Sequence, residues 1–178
     1  MAVWTVRGCV RAATGMLAAI AVVTLAGCLR VSVQTSQQYD WVQGSFIHLK
    51  GTGVIQGQAF LQKDNGGVIY AAGRNIVLLP ATPYVAERFV KVYGDRKYRN
   101  ILRPTLVFEE TDEGFYNDQR IVKADPRGRF RFDKLAPGRY FVETAIVWQQ
   151  GDLPAGGRLY DMVEVGKDAV VEVMLSGF

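Results

Sequence analysis

Nucleophilic catalysis needs a hydroxyl or thiol beside an oriented base, and this chain offers few such pairs. His48 is the only histidine. Ser32 and Ser36 lie in a polar N-terminal stretch, Ser176 lies beside the C-terminus, and only Ser45 is close to His48 in sequence. The run Phe46-Ile47-His48-Leu49 reads as a strand carrying a half-exposed structural histidine, so no catalytic residue is assigned. One histidine and two cysteines are too few for a zinc site. The acidic run Glu109-Glu110-Thr111-Asp112-Glu113-Gly114 holds oxygen ligands of the type Ca²⁺ prefers. It lacks the ligand spacing of a calcium-binding loop and reads as a solvated loop. Neither a metal nor a cofactor is expected.

The stretch before that run is basic: Lys91, Arg96, Lys97, Arg99 and Arg103. Tyr93, Tyr98, Phe108, Phe115 and Tyr116 are interleaved with these charges. Arginine with aromatic side chains is the composition of interface hot spots. The same aromatics also pack a long loop onto a scaffold. The candidate partner-contact residues are Arg96, Lys97, Arg99, Arg103, Tyr98 and Tyr116. A glycan-binding face would need exposed aromatic platforms. Trp148 is expected to be buried, and Trp41 stays open between the two environments.

The elements that position these residues read as all-β. Short apolar runs alternate with period two between Gly, Pro, Asn and Asp punctuation. Strands are expected at Gly53 to Gln62, Asn75 to Leu79, Ile121 to Ala124, Arg129 to Asp133 and Tyr140 to Trp148. Asp125-Pro126-Arg127-Gly128 fits a type I turn. Ala136-Pro137-Gly138-Arg139 fits a type II turn with Gly138 at positive φ. Arg158 to Val165 and Ala169 to Leu175 flank Gly166-Lys167-Asp168 as a C-terminal hairpin. One helix is expected after Thr82-Pro83, an N-cap followed by proline at the first helical position. Val85, Phe89 and Val92 recur at helical spacing, and the helix should end by Gly94. Residues 29–39 read as a polar tether, with Val31 and Val33 able to start an edge strand instead.

The 178 residues carry 21 basic and 17 acidic side chains. Arg7 and Arg11 are the basic residues before position 28, which leaves 19 basic against 17 acidic beyond it, a balance of +2. No basic face of the kind that marks a nucleic-acid binder is evident. Arg7 and Arg11 precede an apolar run, Met16 to Ala26, of the length of a signal-peptide core. Ala12 to Leu29, interrupted by Thr14, Gly15, Thr24 and Gly27, is short for a membrane-spanning helix. An uncleaved anchor and an ordinary secretory signal remain the alternatives.

Leu25-Ala26-Gly27-Cys28 closes that run and resembles the lipobox of bacterial lipoproteins. The resemblance implies cleavage before Cys28 and acylation of its thiol, so that the membrane itself is a partner. It divides the chain into a signal peptide (1–27), a lipidated tether (28–40) and one domain (41–178) with an insertion at about 84–119. Leu29 occupies the position where Asp would retain an enteric lipoprotein in the inner membrane. The implied location is therefore the outer membrane, facing the periplasm.

A second resemblance spans roughly residues 52–178. It rests on Gly57-Gln58-Ala59, on Gly73 ahead of Val77-Leu78-Leu79-Pro80, on Asp125 with Gly128-Arg129-Phe130, and on Leu135-Ala136-Pro137-Gly138-Arg139-Tyr140. These residues resemble the carboxypeptidase regulatory-like domains. The likeness implies a transthyretin-like Greek-key β-sandwich of about seven strands with no catalytic residues of its own. The expected role is a non-enzymatic envelope module that places Lys91–Gln119 against a protein partner. Glycan or peptidoglycan binding is the alternative, ahead of a small periplasmic hydrolase.

Overall fold

A computed structural model describes residues 30–177 apart from 64, 110 and 111. Cys28 and the leader lie outside the described residues. The N-terminal elements are β1 (Arg30–Val33), α1 (Trp41–Gly44) and a 3₁₀ turn (Ser45–His48). Then follow β2 (Lys50–Gln62), β3 (Val68–Tyr70), β4 (Asn75–Pro80), α2 (Pro83–Tyr93), β5 (Tyr98–Asn100) and β6 (Thr105–Phe108). The chain continues with α3 (Glu113–Asn117), β7 (Arg120–Lys123), β8 (Arg129–Leu135), β9 (Gly138–Gln150), β10 (Leu153–Val165) and β11 (Val170–Leu175).

Two sheets form a β-sandwich. One has the order β5-β10-β9-β4-β7 and is antiparallel throughout. In the other, β2 pairs with β11 in parallel and with β8 and β3 antiparallel. Period-two alternation sends one face of each strand inward. Ile55, Ile76, Leu78, Phe132, Tyr140, Val142, Leu159 and Leu175 are all buried between the sheets. Trp148 joins this core as a partly buried side chain, its indole N–H enclosed without a hydrogen-bond partner among the described residues.

The outer face of the five-stranded sheet is not left to solvent. Leu79 and Phe141 point outward there and meet Tyr84, Val85, Phe89 and Tyr93 of α2, with Phe115, in a second core. The helix forms where expected. Thr82 accepts from the Val85 amide at 3.3 Å, Pro83 opens the first turn, and Gly94 ends the helix at φ 66°. The stacked rings of Phe89 and Phe141 lie 4.2 Å apart, and α2 with Phe115 of α3 forms a third layer over the sandwich.

Several expectations need correction. The C-terminal pair is no hairpin: β10 bonds to β9 and β5, whereas β11 crosses to the other sheet and bonds to β2. The Asp125 turn likewise joins strands of different sheets, β7 and β8. The turn itself forms as expected. Asp125 accepts from the Arg127 and Arg129 amides at 2.8 Å each, and Gly128 takes φ 73° where a Cβ would lie 2.3 Å from the Ala59 carbonyl. Gly138 does not adopt positive φ; Lys134 does, at 58°. Glycine is required at 138 because a Cβ would lie 2.6 Å from the Phe46 ring. Tyr140 pins this corner by donating to the Ala136 carbonyl at 2.7 Å. The run Phe46–Leu49 is no strand; Phe46 to His48 belong to the 3₁₀ turn.

The tether is also corrected in part. Arg30 to Val33 pair in parallel with Thr105 to Phe108. Beyond them, Glu87 of α2 accepts from the Ser36 amide at 2.8 and 3.0 Å, the Ser36 hydroxyl at 3.0 Å and the Gln37 amide at 2.8 Å. The two backbone amides, reinforced by Lys91 at 3.2 Å, hold the Glu87 carboxyl down to about 2. Because the folded value is depressed, the clamp is complete above the ordinary carboxylate range and is lost as pH falls toward 2. The Ser36 and Gln37 amide NMR shifts should therefore titrate near pH 2. Titration near 4.5, the ordinary value, would mean the clamp is not formed.

Candidate functional site: a cleft beneath the insertion

The third layer does not seal against the sheet. A cleft of about 690 Å³ remains between them. Its floor follows from strand register. Val77 and Glu143 face each other across one row, and Ala145, Arg158 and Arg99 form the next. Its walls come from Arg88, Phe89, Val92 and Tyr93 of α2, from Asn100, Ile101, Arg103, Pro104, Thr105, Leu106 and Phe108, and from Phe115, Tyr116 and Gln119.

Charge within the cleft is unevenly matched. Glu143 is the carboxylate on the floor, and it binds Arg158 at 2.7 Å and accepts from the Tyr93 hydroxyl at 2.5 Å. Burial, together with the Glu143 charge, pushes the Tyr93 phenol up. Burial opposes the charge on Arg158, but Glu143 and Tyr93 outweigh it and raise the guanidinium above its ordinary value. Arg99 is shifted down, first by burial and then by Arg103 and Arg158. Arg99 donates to the Val92 and Pro104 carbonyls at 2.9 and 2.6 Å. Neither Arg99 nor Arg103 forms an ion pair with a carboxylate among the described residues. Four arginines, Arg88, Arg99, Arg103 and Arg158, thus line the cleft with one carboxylate, Glu143, and aromatic rings stand beside them.

Arg88 serves the architecture. Its guanidinium lies 3.9 Å from the Phe108 ring centroid and 4.3 Å from that of Phe115, and it donates to the Tyr84 hydroxyl at 2.7 Å. Cation–π contacts of this kind contribute about 0.5–2 kcal/mol each, so Arg88 fastens the end of β6 and α3 to α2.

His48 meets a carboxylate, though not as half of a nucleophilic site. Its Nε2 lies 2.7 Å from Asp118, which is buried and also accepts from the Tyr39 hydroxyl. The one nearby serine, Ser45, donates instead to the Val42 carbonyl at 2.8 Å. Burial and the adjacent Asp118 carboxylate push the Tyr39 phenol up. The trio joins the N-terminal segment to the end of α3.

Another concave surface lies on the outer face of the four-stranded sheet, around Gln56, Arg131 and Glu172. Its polar groups bond to one another. Gln56 donates to Glu172 at 3.0 Å and accepts from Arg131, which also binds Asp133 at 2.7 Å. The cleft beneath the insertion is therefore the stronger candidate.

The structure separates the six residues singled out from sequence. Arg99, Arg103 and Tyr116 line the cleft. Lys97 pairs with Asp161 at 2.6 Å outside it, and Arg96 is exposed beyond the end of α2. Tyr98 packs on the main core with its hydroxyl on the Gly156 carbonyl at 2.9 Å. Trp41 is exposed, at 68%. Glu143 and Arg158 escaped sequence reasoning because they lie far along the chain from the insertion. One signal was available: Phe141 alternates onto the same face as Glu143, and an aromatic on that face implies a covering layer. Among the described residues no group of His, Cys, Asp and Glu could hold a metal ion, and no helix is long and apolar enough to cross a membrane.

Neither a family model nor a curated protein matches the chain. Among solved structures it is similar to a proposed carbohydrate-binding protein from Pseudomonas aeruginosa, at 23% identity and a TM-score of 0.67, covering 79% of this chain and 98% of that one. A minor pilin of Streptococcus agalactiae is more distant, at 13% identity and a TM-score of 0.35 over 73% of this chain and 46% of its own. The first likeness shows a shared fold: the chain is a β-sandwich with a helical layer packed on one face.

Proposed function

We propose that this chain is a lipid-anchored, non-catalytic binding module of the bacterial envelope, and that the cleft beneath the insertion takes an acidic saccharide. The cleft carries the reading. Arg99 and Arg103 line it without a carboxylate partner among the described residues, Arg158 pairs with Glu143, and the exposed ring of Tyr116 stands beside them. Guanidiniums bind carboxylates and sulfates in a planar, two-pronged geometry, and a ring edge or face suits the apolar side of a sugar. Carbohydrate binding proposed for the Pseudomonas aeruginosa neighbour points the same way.

The anchor belongs to the same proposal. Acylation of Cys28, with Leu29 following it, supports attachment to the outer membrane on the periplasmic side. The carboxypeptidase regulatory-like resemblance agrees with the β-sandwich and with the absence of a catalytic constellation in the family. Docking of Lys91–Gln119 on an envelope protein has less support, because Tyr93, Phe108 and Phe115 of that stretch are occupied within the third layer.

Oligogalacturonate should bind the full-length protein in detergent, and a neutral glucose oligomer should not. Binding should weaken with added salt, as expected for partly exposed charge pairs. Arg103→Ala removes one charge-assisted contact and should weaken affinity about tenfold. Titration calorimetry measures both. Equal binding of the two sugars, or of neither, would sink the acidic-saccharide reading.

A further inference from the structure

Parallel pairing of β1 with β6 has a geometric corollary for the anchor. Parallel strands enter their ladder from the same end, and here Arg30 stands opposite Thr105. Arg30 therefore stands at the same end of the ladder as the turn Leu102-Arg103-Pro104 that leads into Thr105. In the sequence Cys28 precedes Arg30 by two residues, a length of chain that spans at most about 7 Å.

The turn at this edge has an unusual surface. Leu102 is 63% exposed and Ile101 37%. The backbone that presents them is held in place. The Ile101 amide donates to the Gly156 carbonyl at 2.9 Å, and the Leu102 amide donates to the Asn100 side chain at 2.8 Å. Arg103 follows the apolar pair, Arg30 stands at the same end of the ladder, and both are exposed. Aliphatic side chains at a tip, with guanidiniums beside them, match the boundary between acyl chains and headgroups, where long basic side chains reach outward to phosphate.

We propose that the turn Ile101-Leu102-Arg103, with Arg30, seats on the bilayer beside the acyl chains of Cys28 and fixes the orientation of the sandwich. The inference rests on the reading of Cys28 as acylated. Ile101 and Arg103 also line the cleft, so this seating brings the cleft rim to the membrane surface. Its ligand would then be drawn from the layer next to the headgroups.

The test uses the full chain, matured in a Gram-negative host. In the acylated form the Cys28 thiol is blocked, and Cys9 departs with the leader. Leu102→Cys then offers a single thiol for a fluorophore, and Lys167→Cys offers a control. Lys167 lies beyond the far end of β10 from Gly157, the partner of Asn100. Each labelled protein is placed in vesicles of phosphatidylethanolamine with a minority of phosphatidylglycerol. Lipids carrying a quencher near the headgroup report depth, and mass spectrometry of the N-terminal peptide reports acylation. The Leu102 label should lose most of its emission, at a depth of about 5–10 Å, while the Lys167 label keeps its own. Acylated protein with equal quenching at both positions overturns the seat and leaves the anchor standing. Protein without an acyl group overturns the anchor reading and the seat with it.

Discussion

Phe89→Ala should cost about 3–5 kcal/mol, the range for removing a large aromatic from a packed interior. The loss should fall on one layer of the molecule. Phe89 stacks on Phe141 at 4.2 Å and contacts Tyr93 and Tyr160 at centroid distances of 5.6 and 5.0 Å. These rings form a core separate from the one between the sheets. The variant should therefore release α2 and α3 at a lower urea concentration than the one that unfolds the sandwich. Near-ultraviolet circular dichroism follows the rings and far-ultraviolet follows the strands, so their midpoints should part. Binding of acidic saccharide should vanish with the first transition, because α2 is a wall of the cleft. Coincident transitions, or a loss well below 1 kcal/mol, would show that the layer has no separate core.

This division of the molecule was only half legible in the residues. Helix α2 was legible because its signals are local: Thr82 and Pro83 at the start, Gly94 at the end, and an apolar stripe between. The inward faces of β2, β4, β8 and β9 were legible for a similar reason, since alternation marks them strand by strand. Pairing between strands was not. Asp125-Pro126-Arg127-Gly128 and Gly166-Lys167-Asp168 encode reversals of the chain, and a reversal is compatible with a hairpin or with a crossing between sheets. Which one forms depends on distant partners such as β2, whose bonds to β11 and β8 involve residues far along the chain. The cleft divides in the same way. Arg99, Arg103 and Tyr116 fall within one suspicious stretch, whereas Glu143 and Arg158 reach the floor only through sheet register.

Asp118→Ala should be the second most costly change, at about 1–3 kcal/mol. The aspartate is 7% exposed and accepts from both Tyr39 and His48. Removing it leaves the half-buried Tyr39 hydroxyl without its acceptor, whereas the His48 ring, 55% exposed, turns to water. The consequence should be local to the ends of the chain segments it joins. Residues 37–49 should become a preferred site of protease cleavage, mapped by mass spectrometry, while the sandwich stays folded. Tyr39→Phe should cost less, since it removes the donor and leaves no orphan hydroxyl. A double-mutant cycle with these two substitutions should show coupling of at least about 0.5 kcal/mol. Strict additivity would mean that the Tyr39–Asp118 bond contributes nothing to the fold.

The parallel pairing of β11 with β2 also governs when the molecule can fold. Gln56 and Glu172 sit opposite each other although 116 residues separate them. Contacts between such distant positions slow folding, because a long loop must close before any gain is felt. A chain emerging from its N-terminus would have its five-stranded sheet ready once β10 had passed. The four-stranded sheet would still lack its parallel edge until the final six-residue strand arrived. Until then the apolar inner side of β2 would stand open, which makes the interval before β11 docks the period of greatest need for a chaperone.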